Sequence, residues 1–394
     1  MGLNRRMLLG LAAAAGIALF PFAPGARAEE VIRIGNTMPY SGPASAFGEI
    51  GNALKAYFQK VNDDGGIHGA RIEFINYDDA YSPPKTVEQT RRLIERDKVQ
   101  LLTGTFGSAQ NLAVQKYVNQ KKIPHLFLAS AANVWSRPQE FPWTMGFQPN
   151  AAIEGRTYGE YVVSHFPDKK IAILYQNDDY GRGFLEGIEA GLGDRAGNVV
   201  ARATFEVSDP TIETQVVNLQ QSGAEILIDI ATPKFAAQAI RKVAELGWKP
   251  AHFIMTTAAS VNQVLKPAGL DISQGLLTAA YLKDPTDPRW ADDPAMQDFR
   301  AFMDRYLPGG NKNSIYSVIG YSIGQATAHV LQEAGPRPDN AAIMAAATHL
   351  DYALPLLLPG LKLKNSPESF HPIASMQMMR FEGGSWVVNE PVAQ

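Results

Sequence analysis

From Glu30 onward, short β-rich runs alternate with longer stretches in which apolar positions recur at helical spacing. The runs Val31–Asn36, Arg71–Tyr77, Leu101–Thr103 and His125–Leu128 read as strands. Between them the pattern predicts helices over Ile50–Asn62, Pro84–Arg96 and Ala109–Asn119, the second opening on a proline suited to a first helical turn. Alternation of this kind marks a parallel sheet covered by helices on both faces.

The rhythm restarts after Phe147-Gln148-Pro149-Asn150. Helices are expected over Tyr158–His165, Gly183–Gly191, Ile212–Gln221 and Lys234–Leu246, with strands over Lys170–Tyr175, Val199–Phe205, Glu225–Ile230 and His252–Thr256. A segment rich in Pro and Asp, Lys283–Pro294, precedes two further helical patterns, Ala295–Tyr306 and Ser314–Glu333. The stretch Met376–Phe381, Gly383-Gly384 and Trp386–Val388 reads as a β-hairpin. The expected fold class is α/β: two doubly wound parallel-sheet lobes joined by a multi-crossover hinge. Lobe 1 is assigned residues 29–149 plus 282–353, and lobe 2 residues 150–281 plus 354–394. The repeat is architectural, because no residue-level repeat accompanies it.

Residues 1–28 change the picture at one end. Asn4-Arg5-Arg6-Met7-Leu8-Leu9, an apolar run to Phe22 and Ala26-Arg27-Ala28 follow the pattern of a signal peptide cleaved after Ala28. The paired arginines fit the twin-arginine route as well as the general one. The apolar run is too short to span a bilayer and is interrupted by Pro21 and Pro24. Removing this segment takes away Arg5, Arg6 and Arg27 and no acid, so the formal net charge moves from −3 to about −6. With no basic stripe, a nucleic-acid partner is not expected. The chain contains no cysteine, which excludes disulfides, thiolate metal sites, cysteine nucleophiles and a cysteine-linked lipid anchor. A freely diffusing periplasmic protein is therefore expected, and it is read as a monomer although the sequence does not fix its oligomeric state.

Four ordered motifs carry a family likeness: Met38–Gly48 (MPYSGPASAFG), Val61–Gly69 (VNDDGGIHG), Tyr77–Lys85 (YDDAYSPPK) and Leu174–Gly181 (LYQNDDYG). On these the chain resembles periplasmic solute-binding proteins of the branched-chain amino acid type, with the type I periplasmic-binding fold. The resemblance covers essentially the whole chain after residue 28. It implies a binding protein of an ABC importer rather than an enzyme, with a small molecule and a membrane permease as partners and no cofactor. A sensory receptor using the same fold without transport is the alternative from another class.

The resemblance also places a site. The loop holding Ser41 and Phe47 is the first strand-to-helix loop, and Phe106-Gly107-Ser108 and Ala129-Ser130-Ala131 correspond to the family's carboxylate-gripping loops. In open α/β sheets such loops lie beyond the strand ends, where helix N-termini offer unpaired N–H groups. Taken alone, Ser108 reads as a helix N-cap. Tyr180 aligns with a ligand-contacting tyrosine, and Thr232, Thr256 and Thr257 align near other contacts. Where amino-acid binders set an acidic side chain against the ligand's ammonium, this chain has none between Glu245 and Asp271. A buried ammonium without a counter-charge is expensive, so the expected ligand is a carboxylate lacking an amino group. Phe47, Phe106 and Trp135 are candidate stacking partners. The runs at 81–85 and 141–150 resemble the branch that takes hydroxycinnamates and benzoates. Branched-chain amino acids or amides are the alternative cargo.

Other signals point elsewhere. Gly320-Tyr321-Ser322-Ile323-Gly324, with Asp339 or Asp351 and His371 downstream, matches a nucleophile elbow, although Ser314–Glu333 reads as one helix. Gly181-Arg182-Gly183-Phe184-Leu185-Glu186-Gly187 is similar to a dinucleotide loop but stands too far from its strand. Asp78-Asp79 and Asp178-Asp179 are paired acids of the kind that cap turns, and His349 with Asp351 lacks a third ligand, so no metal site is expected.

Overall fold

The computed structural model of the protein describes residues 30–370 and 372–390. The signal-peptide segment, its cleavage point and His371 lie outside the described residues. In chain order the first unit is β1 (Val31–Met38), α1 (Gly48–Asp63), β2 (Arg71–Asp78), α2 (Pro83–Arg91), β3 (Leu101–Thr103), α3 (Ser108–Gln120), β4 (His125–Leu128) and β5 (Thr144–Gly146). The second is α4 (Ala151–His165), β6 (Ile171–Gln176), α5 (Asp179–Leu192), β7 (Val199–Phe205), α6 (Glu213–Gln221), β8 (Ile226–Ile230), α7 (Pro233–Glu245), β9 (Ala251–Ile254), α8 (Lys266–Ala268) and β10 (Leu277–Ala280). There follow α9 (Pro294–Tyr306), α10 (Ile315–Glu333), α11 (Asn340–Thr348), β11 (Asp351–Tyr352), β12 (Leu363–Lys364), β13 (Gln377–Glu382) and β14 (Ser385–Glu390).

The two sheets share one winding. The first runs β2-β1-β3-β4-β5, and the second contains β7-β6-β8-β9-β10 in the corresponding order, extended at one edge by the antiparallel pair β13 and β14. All pairings within the two five-strand sets are parallel. β8 is buried along its whole length, as a strand covered on both faces must be. The pattern of residues 30–256 thus predicted the winding correctly. Within that stretch it missed the three-residue β5; beyond it β10, the two-residue strands β11 and β12, and α11, whose mostly alanine sequence lacks a polar face, were not foreseen.

Close helix contacts fill the outer layers. α4 and α5 approach through glycines: a Cβ on Gly155 would stand 2.3 Å from the Phe184 carbonyl oxygen, and one on Gly187 2.5 Å from that of Ala152. α10 packs on α1 in the same manner, since a Cβ on Gly320 would meet the Ile50 carbonyl oxygen at 2.2 Å and one on Gly324 the Tyr57 ring at 2.6 Å. The chain passes between the sheets three times, after β5, after β10 and before β13. The last two crossings run side by side where Leu282 bridges Leu357 and the Lys283 N–H donates to Leu356.

Candidate functional site

A cleft with about 350 Å³ of empty space, part of it open to solvent, lies between the two sheets. That is at the small end of the roughly 300–1,000 Å³ of small-molecule pockets. Every residue lining it follows the carboxyl end of a strand. In each sheet these loops flank the point where strand order reverses, between β1 and β3 and between β6 and β8.

One wall is a nest of donors. Gly107 precedes α3 with φ 94°, in the left-handed region, and a Cβ there would fall 2.3 Å from the Gln110 Oε1. Only glycine fits this approach. No side chain caps α3, and Gly107 and Ser108 at its start line the cleft, which leaves the first-turn N–H groups available to a ligand. The Ser108 and Ser130 hydroxyls lie 2.9 Å apart, and the Trp135 indole N–H donates to Ser130 Oγ at 2.9 Å. Behind the loop, Thr105 Oγ1 donates to Asn111 Oδ1 and sits 2.6 Å from His125 Nε2. Burial pulls His125 down to about 3, so it is neutral at physiological pH and adds no charge. The seat is thus built from N–H and O–H groups alone, an arrangement suited to an anionic oxygen.

Beside the seat are rings. Phe47 stacks on Phe106 with centroids 4.2 Å apart and planes at 29°, and Tyr316 adjoins Phe47 at 5.0 Å. Tyr81 reaches Phe106 at 6.0 Å from a strained turn in which Ala80 and Tyr81 have φ of 50° and 60°. Two acids hold that turn: Asp78 accepts the Ala80 N–H, and Asp79 accepts the Tyr81 N–H and the Thr86 hydroxyl. Burial raises Asp79 to about 6. For Asp78 burial also acts upward, but the hydrogen bonds from the Ser41 hydroxyl and the N–H groups of Ala80, Ser41 and Tyr40 outweigh it and lower its pKa.

The opposite wall is softer. Tyr180 donates to the Met255 sulfur at 3.4 Å, next to the hydroxyls of Thr232 and Thr257 and the amide of Gln148. Burial, with Glu154 and Asp178 nearby, raises the Tyr180 phenol and keeps it neutral. None of the lining residues carries a formal charge at neutral pH. Glu154 lies behind this wall, fully buried, accepting the Tyr158 hydroxyl at 2.8 Å and the Thr256 N–H at 2.6 Å. Burial raises it to about 7. The lobes touch across the cleft where Tyr316 donates to the Thr257 carbonyl at 2.7 Å and Ala152 N–H to Asn133 Oδ1 at 3.0 Å.

Of the residues singled out in the sequence, Phe47, Phe106, Gly107, Ser108, Ala129, Ser130, Ala131, Tyr180, Thr232 and Thr257 line this cleft. Ser41 does not: it is exposed and donates to Asp78 Oδ2 at 2.5 Å, tying the first loop to the end of β2. Thr256 faces the other way, its hydroxyl donating to the Ala279 carbonyl, and lines a separate hinge cavity with Tyr281 and Trp386. Trp135 is not a stacking surface on the cleft but is 1% exposed behind Ser130. Tyr81, Gln148 and Met255 complete the lining and were not singled out. Tyr81 and Gln148 fall in stretches that carried the resemblance. Met255 and Thr257 flank Thr256, so the signal was present but its alternation was not followed.

The competing motifs have structural explanations. Ser322 sits in the middle of α10, buried and without a partner, while Gly320 and Gly324 serve the contact with α1. An elbow needs a strand, a turn and a helix. At α5 the Asp178 carboxylate accepts the Gly181 N–H at 3.0 Å and so fills the place a phosphate would take, and Asp179 pairs with Arg182. Among the described residues no group of three His, Cys, Asp or Glu is arranged to hold a metal ion.

Two doubly wound lobes that trap a cleft between their strand ends define a solute receptor of the type I periplasmic-binding fold. The chain belongs to the periplasmic binding protein family, whose model matches residues 31–385. It is similar to Leu/Ile/Val-binding protein homolog 7 of Brucella abortus, 23% identical over 94% of each chain, and to an amino acid binding protein of Pseudomonas aeruginosa, 24% identical over 77% of this chain and 78% of that one. A branched-chain amino acid ABC transporter protein from Thermus thermophilus with bound valine has the same fold, with TM-score 0.83, 16% identity and coverage of 92% and 96%. So does a solute-binding protein of an R. palustris ABC transporter in complex with benzoate, with TM-score 0.77, 21% identity and the same coverage. The protein is a periplasmic solute-binding component and not an enzyme.

Proposed function

We propose that the chain captures a small aromatic carboxylate, such as a hydroxycinnamate or benzoate, and presents it to an ABC permease after export and removal of residues 1–28. The observation that carries this reading is the pairing of an uncharged seat rich in donors with stacked Phe47 and Phe106, in a cleft whose lining has no charged side chain. A carboxylate head gains charge-assisted hydrogen bonds there. A ring gains apolar contact. An α-ammonium meets nothing that repays its desolvation. Ligand first seats on the wall of Ser108 and Ser130, and contacts from Tyr180 and Thr257 then favour the closed arrangement. The benzoate complex of the structural relative is consistent with such cargo.

Branched-chain amino acids are the second reading, favoured by the names of the Brucella relatives. Titration calorimetry of the purified protein against p-coumarate, benzoate and leucine separates the two. Binding of either aromatic with no heat from leucine is expected. Tight leucine binding with neither aromatic bound sinks the proposal.

A further inference from the structure

Behind the seat is a chain of three polar groups that all reach the cleft through one hydroxyl proton. Trp135 is held in a short turn at residues 133–136, its ring packed with Leu128 and Ala132 against Leu112 of α3. Its indole N–H donates to Ser130 Oγ, and Ser130 Oγ is 2.9 Å from Ser108 Oγ. An indole N–H only donates, whereas a hydroxyl has one proton and two lone pairs. Two serines therefore bring two protons, and the bond between them uses one. The other cannot be given to Trp135, which has no acceptor, so it stays available to an acceptor in the cleft, which both serines line, whichever serine carries it. Donation by Trp135 also polarises the pair.

We infer that Trp135 is a positioning residue for carboxylate selectivity: by making Ser130 an acceptor on its buried side, it directs the remaining hydroxyl proton of the Ser108–Ser130 pair into the cleft. The inference rests on the reading that the cleft takes a carboxylate. Its sharper content is that the seat favours a carboxylate over the matching carboxamide, which carries no charge and offers one acceptor oxygen where the carboxylate offers two.

Trp135→Phe keeps the packed ring and deletes the donor. Benzoate affinity, measured by calorimetry, is expected to fall about five- to tenfold, the effect of one hydrogen bond reinforcing a charged partner. Benzamide affinity, measured by competition, is expected to stay where it is, so the benzoate-to-benzamide ratio falls by the same factor. In a Ser108→Ala background the same change is expected to cost less, because the two residues act in one chain. An unchanged benzoate affinity overturns the inference, and so does an equal loss for both probes, which means packing alone. If Trp135→Phe does not fold, as judged by circular dichroism, Trp135→Met, a second apolar filler without a donor, gives the reading instead: a lowered ratio supports the relay and an unchanged one overturns it. If the wild-type protein binds leucine and not benzoate, the aromatic reading has failed, and leucine against leucinamide then tests the relay by itself.

Discussion

The two lobes are wound identically but present opposite chemistry at equivalent places. In the first, α3 starts on Gly107 with no side chain across its N-terminus. In the second, the N-terminus of α5 is occupied by the Asp178 carboxylate, and α7 opens on Pro233, which has no N–H to offer. Helix N-termini attract anions only where their donors are free. One topology has thus yielded an anion seat on one side of the cleft and a soft wall of Tyr180, Met255 and Thr257 on the other. The second lobe does possess an acid near the cleft, Glu154, but holds it behind the wall on the Thr256 N–H. On the proposed reading, what sets this cleft apart from one built for amino acids is the placement of a carboxyl group, not its presence.

Moving an acid to the front of the soft wall is the most drastic way to break this asymmetry. Thr257→Asp places a carboxylate in the lining, and like charges in a desolvated cleft cost several kcal/mol. Benzoate binding is expected to weaken by at least about a hundredfold, while leucine, whose ammonium now finds a partner, gains affinity. Calorimetry with both ligands checks the opposite signs.

A smaller effect comes from thinning the seat. Ser108→Ala removes a hydroxyl that faces the cleft but no backbone donor, so benzoate affinity should drop about tenfold. Thermal melting in the absence of ligand should move little, since the serine side chain carries no helix cap.

The hidden acid can be read through stability. Glu154 ionises at about 7 in the folded protein because of burial, against 4.5 for the free side chain. Between those values the folded state holds a proton that the unfolded state has lost, so this group lowers stability as pH rises through the window. Glu154→Gln keeps an acceptor for Thr256 and Tyr158 and should flatten the fall in urea unfolding free energy from pH 5 to pH 8. Asp79 and Asp284, both raised to about 6 by burial, leave part of the slope in place. An identical slope in wild type and variant would mean that Glu154 stays protonated or exposed in both states.

Much of the winding was legible in the chain. β3, β4 and β7 start and stop at the residues expected, because β-rich runs bounded by turn residues have one natural reading. β10 was not seen: Leu277–Ala280 reads as an ordinary apolar stretch, and only its place beside β9 and β13 makes it a strand. The same division holds at the site. Ser108 and Ser130 belong to loops whose position after a strand already points outward. Ser41 sits in an equivalent loop, yet Asp78 from a different strand claims its hydroxyl.

By itself the sequence determined most of the order of elements over residues 30–256, several loops that open on the cleft, and the absence of acid in residues 246–270. These are local or compositional properties, written in spacing and residue type. Only the tertiary structure decided that Thr256 turns away while Met255 and Thr257 turn in, that Trp135 backs Ser130, and that Glu154 lies behind the wall. Such facts depend on contacts between residues far apart in the chain, where one hydrogen bond to a distant partner sets the direction of a side chain that local pattern leaves open.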